Sequence, residues 1–162
     1  MERTFRHLSA TETRSTPVLF VNLLIGTLII ATTVMIHTLG LVLLTRWMKW
    51  VVHWFRLHRH SFAKSVAMVS TVLGLFLLHT IEVWVWASTY LVAGVVSGLE
   101  PALYFATVTF STLGYGDITP LPGWRVLAAL EAVDGFILIG WSTAYLVAAS
   151  TRHGPFQIGE HF

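Results

Sequence analysis

Three apolar runs in this chain are each long enough to cross a lipid bilayer, and nothing else limits its possible folds as strongly. The first goes from Pro17 to about Leu44, the second from about Val66 through Trp86 toward Ala93, and the third from Trp124 to about Ser150, ending at Arg152-His153. A hydrocarbon core of about 30 Å requires about 20 such residues in a helix. The first run, roughly 28 residues, would reach about 42 Å, so it is expected to tilt or overhang. Composition agrees: 55% of the residues are hydrophobic and 11% charged, against about 25% charge in soluble domains, and the mean hydropathy is +0.71. An all-α integral membrane protein follows, because only helices and closed barrels pair all their backbone within lipid, and continuous apolar runs of this length are helical.

The first run is too long for a signal peptide, and no small-residue cleavage site follows it. With Thr16-Pro17 as N-cap and first helical residue, it reads as a transmembrane helix. Next comes "RWMKWVVHWFRLHRH". On a helical wheel Arg46, Lys49, His53, Arg56 and His60 fall within an arc of about 80°, with tryptophans on much of the rest. That pattern suits a helix lying on the membrane surface, where Arg46, Lys49 and Arg56 meet anionic headgroups and tryptophans sit at headgroup level. A voltage sensor is the alternative for charges at this spacing, but it needs carboxylates on companion spans, and only one span precedes it. The absence of cysteine excludes disulfides and thiolate metal sites. The small net charge of +2 reports topology, not nucleic acid.

Between the second and third runs, Glu100-Pro101 opens an apolar helix of about ten residues, some 15 Å long, which crosses only half a bilayer and must be re-entrant. It delivers the chain to "TVTFSTLGYGDITP", residues 107–120. Non-helical backbone at that depth is tolerated only where protein buries it or it lines a water-filled path. Gly114 and Gly116 permit dihedrals that turn the carbonyls of Thr112, Leu113, Gly114 and Tyr115 one way, and such a row, with the Thr112 hydroxyl below it, replaces the water shell of a cation. The C-terminal end of the short helix points partial negative charge at the same path. One chain supplies one row, so four chains around an axis are expected, with the third span nearest the axis and the first outermost.

Thr109, Thr112, Gly114, Tyr115, Gly116 and Asp117 resemble the selectivity-filter signature of potassium channels, with Tyr104-Phe105 where that family often has aromatic residues bracing the filter. Leu113 stands where valine is commoner and Ser111 where threonine is. The resemblance extends through Trp124-Arg125 to Gly135, which resembles the inner-helix hinge glycine, and covers roughly residues 66 to 150. It implies a potassium-selective channel, with K+ held at Thr112, Leu113, Gly114 and Tyr115, filter support from Tyr104, Phe105, Thr109 and Asp117, a homotetramer, and no cofactor beyond the permeant K+. A weakly selective cation channel, or a non-conducting channel-like interaction subunit, are the alternatives. No nucleophile or metal constellation of an enzyme is legible.

The expected organisation is an N-terminal tail over 1–16, an extra transmembrane helix over 17–45, a basic amphipathic interfacial helix over 46–63, a potassium-channel-like pore domain over 64–152 and a short tail over 153–162. If the filter opens outward, as the family's does, the Arg46–Lys64 segment and the C-terminus are cytoplasmic and the N-terminus is outside. The charges agree: five Lys or Arg in 46–64 against three Arg and two Glu in 1–16. A bacterial inner membrane is the expected location. The twelve residues after Ser150 are too few for a ligand-binding domain, so regulation is expected in the spans, the surface helix, a partner or the lipid.

Gating candidates are Gly135, as hinge or as close-packing glycine, and the intramembrane ionisable residues His37, His79, Glu82, Glu131 and Asp134. The plainer reading pairs the ionisable groups with one another to stabilise the assembly. A sharper one places His79 between Glu82 and Glu131, at matching depths, and makes it a sensor of external protons. His79-x-x-Glu82 also has metal-ligand spacing, but two ligands make a poor site.

Overall fold

The computed structural model describes residues 2–54 and 60–153, with side chains from residue 18 onward except at 52, 60–63, 152 and 153. Four α-helices follow one another: α1 (Glu2–Trp54), α2 (His60–Val92), α3 (Leu99–Phe110) and α4 (Arg125–His153), with one 3₁₀ turn, Pro122–Trp124, leading into α4. There is no strand among the described residues. Three segments are long and apolar enough to cross a membrane: Val18–Val51, Lys64–Val92 and Pro122–Thr151. The protein is an integral membrane protein.

α1 departs from the expected boundaries. The helix begins at Glu2, not at Pro17, and runs to Trp54 without a break at 45/46. No glycine or proline stands between Glu2 and Thr16 or between Leu41 and Trp54 to stop it. The interfacial helix expected over 46–63 is, as far as Trp54, the end of α1. Met48 and Val51 are buried there with Ala67 of α2 and Ala149 of α4, so packing holds this stretch. Its other side is exposed: Arg46, Lys49 and the tryptophans Trp47, Trp50 and Trp54, whose rings follow one another at 5.2 and 5.6 Å. Arg56 and the tail from 154 lie outside the described residues.

The chain forms two compact units, Met1–Thr32 with Val83–Phe136, and Thr33–Glu82 with Ile137–Phe162. In the first, Asn22 of α1 donates its amide to the carbonyls of Val18 at 2.7 Å and Gly123 at 2.8 Å, and a Leu130 methyl occupies the place a Cβ on Gly26 would take. In the second, Leu78 packs onto Gly40 and Leu44 onto Gly74. Thr45 and Tyr145 share a hydrogen bond of 3.0 Å. Lipid offers no hydrophobic driving force between helices, so close backbone approach at small residues and interhelical hydrogen bonds supply the association. The extra N-terminal helix therefore packs on α2 and α4 of its own chain. Only 28% of the most apolar window of α4 is buried, which leaves the remainder for lipid or other copies.

Candidate functional site

α3 is built to deliver its C-terminus. Gly98, at φ 97°, turns the chain into it, and Glu100 sits in the first turn, where a carboxylate complements the positive end of the helix dipole. Its twelve residues reach about 18 Å, half a bilayer. Phe105 is buried and meets Tyr90 of α2 edge-on at 5.1 Å. At the far end Phe110 lies so close to Gly135 of α4 that an added Cβ would stand 2.0 Å from the Phe110 carbonyl oxygen. Gly135 thus owes its place in the structure to close backbone contact.

Beyond Phe110 the backbone amides fold back on the helix. Ser111 donates to Thr107 at 3.0 Å, Thr112 to Thr109 at 2.9 Å, and Leu113 and Gly114 both donate to Val108 at 3.0 and 3.1 Å. Among the described residues, the carbonyls of Thr112, Leu113, Gly114 and Tyr115 accept no hydrogen bond. Positive φ recurs at every second residue: 60° at Thr112, 56° at Gly114 and 77° at Gly116, with Leu113 and Tyr115 on the ordinary side. Thr112 is the one non-glycine with positive φ among the described residues, a position that a β-branched side chain occupies only against strain. Leu113 and Tyr115 are 56% and 67% exposed. A strip of exposed carbonyls without hydrogen bonds in an apolar protein needs water, an ion or another chain to satisfy it.

Tyr104 and Asp117 brace the two ends of the turn. The Tyr104 hydroxyl donates to Asp117 Oδ2 at 2.7 Å. This bond pushes the phenol above its ordinary value and holds the Asp117 carboxyl below its own, with backbone amides of Asp117 and Ile118 adding to the latter. Thr109, Gly114, Gly116, Arg125 and Ala128 line a groove of about 440 Å³ on one side of the strip.

Residues 75–152 match the model of the ion channel family. The matched segment, 78 of the 162 residues, is similar to ion-channel domains. It includes α3, the strip after it and nearly all of α4. No curated protein and no solved structure matches the chain.

The ionisable residues of the matched segment take partners other than those expected. His79 Nδ1 lies 2.8 Å from Glu82 Oε2, as the spacing suggested, but the other carboxylate oxygen goes to His37 Nδ1 of α1 at 2.9 Å. Glu131 instead accepts a short hydrogen bond from the Tyr90 hydroxyl, and Asp134 accepts one from Trp86 Nε1 at 3.0 Å. The expected histidine between two carboxylates is a carboxylate between two histidines. Equal depth on two helices does not bring residues together, because rotation about each axis decides which face a residue occupies. Tyr90 and Trp86 were missed as partners. The available signal was that both are amphipathic aromatics inside a span, four residues apart on one helix face, and each needs a buried acceptor.

Proposed function

We propose that the protein conducts K+ passively through a pore lined by Thr112, Leu113, Gly114, Tyr115 and Gly116 of four identical chains. The observation that carries this reading is the alternation of positive and ordinary φ from Thr112 to Gly116. Alternating handedness turns successive carbonyls to one side of the chain, and the amides of Thr112, Leu113 and Gly114 are already committed to Thr109 and Val108. A K+ ion leaves its hydration shell for such a row because carbonyl oxygens offer the same hard dipoles that water did. The negative end of α3 adds attraction. A single row cannot enclose an ion, and the open groove beside it leaves room for a neighbouring copy. Tyr104, Phe105, Thr109 and Asp117 brace the row.

The filter faces outward together with the N-terminus, and the region from Arg46 to Lys64 and the C-terminus face the cytoplasm of a bacterial cell. Exposed Arg46 and Lys49 beside exposed tryptophans supply the chemistry for anionic headgroups.

The test is a bi-ionic reversal potential across bilayers containing the purified protein, K+ against Na+. A potential set by K+ is expected. Equal permeability would make it a weakly selective cation channel, and no current from a well-assembled preparation would make it an interaction subunit.

A further inference from the structure

His37 stands outside the matched segment, on the added helix, yet it completes a cluster with two residues inside that segment. His37, His79 and Glu82 each offer a ligand atom, and all these atoms lie within 4.8 Å of one another. The His37 and Glu82 side chains are fully buried, while that of His79 is 20% exposed. We propose that this cluster is a binding site for a divalent transition-metal ion, zinc fitting best, which ties α1 to α2.

The donor set selects the ion. Two imidazole nitrogens and one carboxylate oxygen form a set that zinc takes with one position left open. Magnesium and calcium require oxygen ligands and are excluded by the two nitrogens. The spacing suits as well. A tetrahedral ion with bonds of about 2.0–2.1 Å holds its ligand atoms about 3.3 Å apart; each Nδ1 lies 2.9 or 2.8 Å from its own Glu82 oxygen and the ligand atoms lie within 4.8 Å of one another, so the ion draws the widest pair together by up to about 1.5 Å. Each imidazole then carries its proton on Nε2 and presents the Nδ1 lone pair. The ion also brings positive charge to a carboxylate enclosed in a membrane span, where a charge needs a partner of opposite sign.

A second observation supplies the open position. His79 lines a cavity of about 230 Å³ together with Ser142, whose Oγ is buried and has no hydrogen-bond partner among the described residues. The cavity holds room for a water as fourth ligand, and the serine hydroxyl is a partner for such a water. His79, the exposed member, is the entry side.

The test uses the full chain in detergent, stripped with a chelator and titrated with zinc at neutral pH. The parent is expected to retain one zinc per chain more than His79→Gln, so that metal held by other histidines cancels in the difference. Cobalt in place of zinc should give the visible absorption of a tetrahedral nitrogen–oxygen site. Loss of any one ligand, in His37→Gln, His79→Gln or Glu82→Gln, should abolish that absorption and weaken binding by more than about tenfold. Zinc should raise the unfolding temperature of the parent, reversibly with chelator, and leave His79→Gln unmoved. His53→Gln, at an exposed position in the last turn of α1, should behave as the parent. If either fully buried position fails to assemble on substitution, His79→Gln decides alone: equal zinc content and equal cobalt absorption in the parent and that variant overturn the site.

Discussion

Tyr104 donates a hydrogen bond of 2.7 Å to Asp117 across thirteen residues, from within α3 to the far side of the exposed strip. The bond ties the helix that delivers the strip to the residue at which it ends. Tyr104→Phe removes the donor and leaves the ring, and we expect reduced K+ flux with assembly retained. Flux from liposomes alongside size-exclusion chromatography in detergent checks this; unaltered flux would show that the brace is dispensable.

The same pair sets a pH expectation. Asp117 is lowered from its ordinary value of 3.8, so its contribution is present above that value and is lost as pH falls through its lower folded value. Tyr104 is raised from 10.0, so the donor is fully protonated below that value and is lost only as pH rises through the higher folded value. The contact is therefore intact across the whole range between. K+ flux should show no transition from this pair between the two ordinary values, and Asp117→Asn should leave the neutral-range pH profile of the remaining flux unchanged in shape.

Gly114 and Gly116 have φ of 56° and 77°, and a Cβ at either would meet no atom of the described residues within 4 Å. Alanine there is opposed by the backbone conformation alone, at a cost of about 1 kcal/mol or more per site. Gly114→Ala and Gly116→Ala should fold and assemble but lose conduction. Flux equal to that of the parent would remove the strip from the ion path.

Gly135→Ala meets a different obstacle. The new methyl collides with the Phe110 backbone at 2.0 Å, and no side-chain rotation relieves a clash with main chain. Overpacking of this kind costs about 1–3 kcal/mol. A lower unfolding temperature in detergent is the expected result, and unchanged stability would contradict the tight contact.

Tyr90→Phe should destabilise more than its single lost atom suggests. Glu131 is fully buried, its Oε1 has no hydrogen-bond partner among the described residues, and Tyr90 serves Oε2. Leaving both oxygens unpaired costs about 1–3 kcal/mol. Tyr90→Phe combined with Glu131→Leu should recover part of the loss, because no buried polar group is then stranded. Additive losses in denaturant unfolding would show that the two residues are not coupled.

The three spans, the half-length helix and the glycines after it were legible in the sequence because each is written locally. Apolar length fixes a span, Glu100-Pro101 opens a helix, and alternate glycines license left-handed backbone. The run of α1 through Pro17 and past Thr45 was not, since a proline favours a start and a basic cluster favours a surface helix while neither enforces it. The choice of partners belonged to the tertiary structure alone. His37 and Glu82 are 45 residues apart, Tyr90 and Glu131 are 41, and Trp86 and Asp134 are 48. Which of them meet depends on rotation and register between helices, and one helical turn, about 5.4 Å, is enough to exchange one partner for another. That register is set where glycines let helices close, at Gly40 against Leu78, Gly74 against Leu44 and Gly135 against Phe110. Such contacts are short in space and long in sequence, so the hydropathy that places each helix in the membrane carries no record of which face it turns to the next.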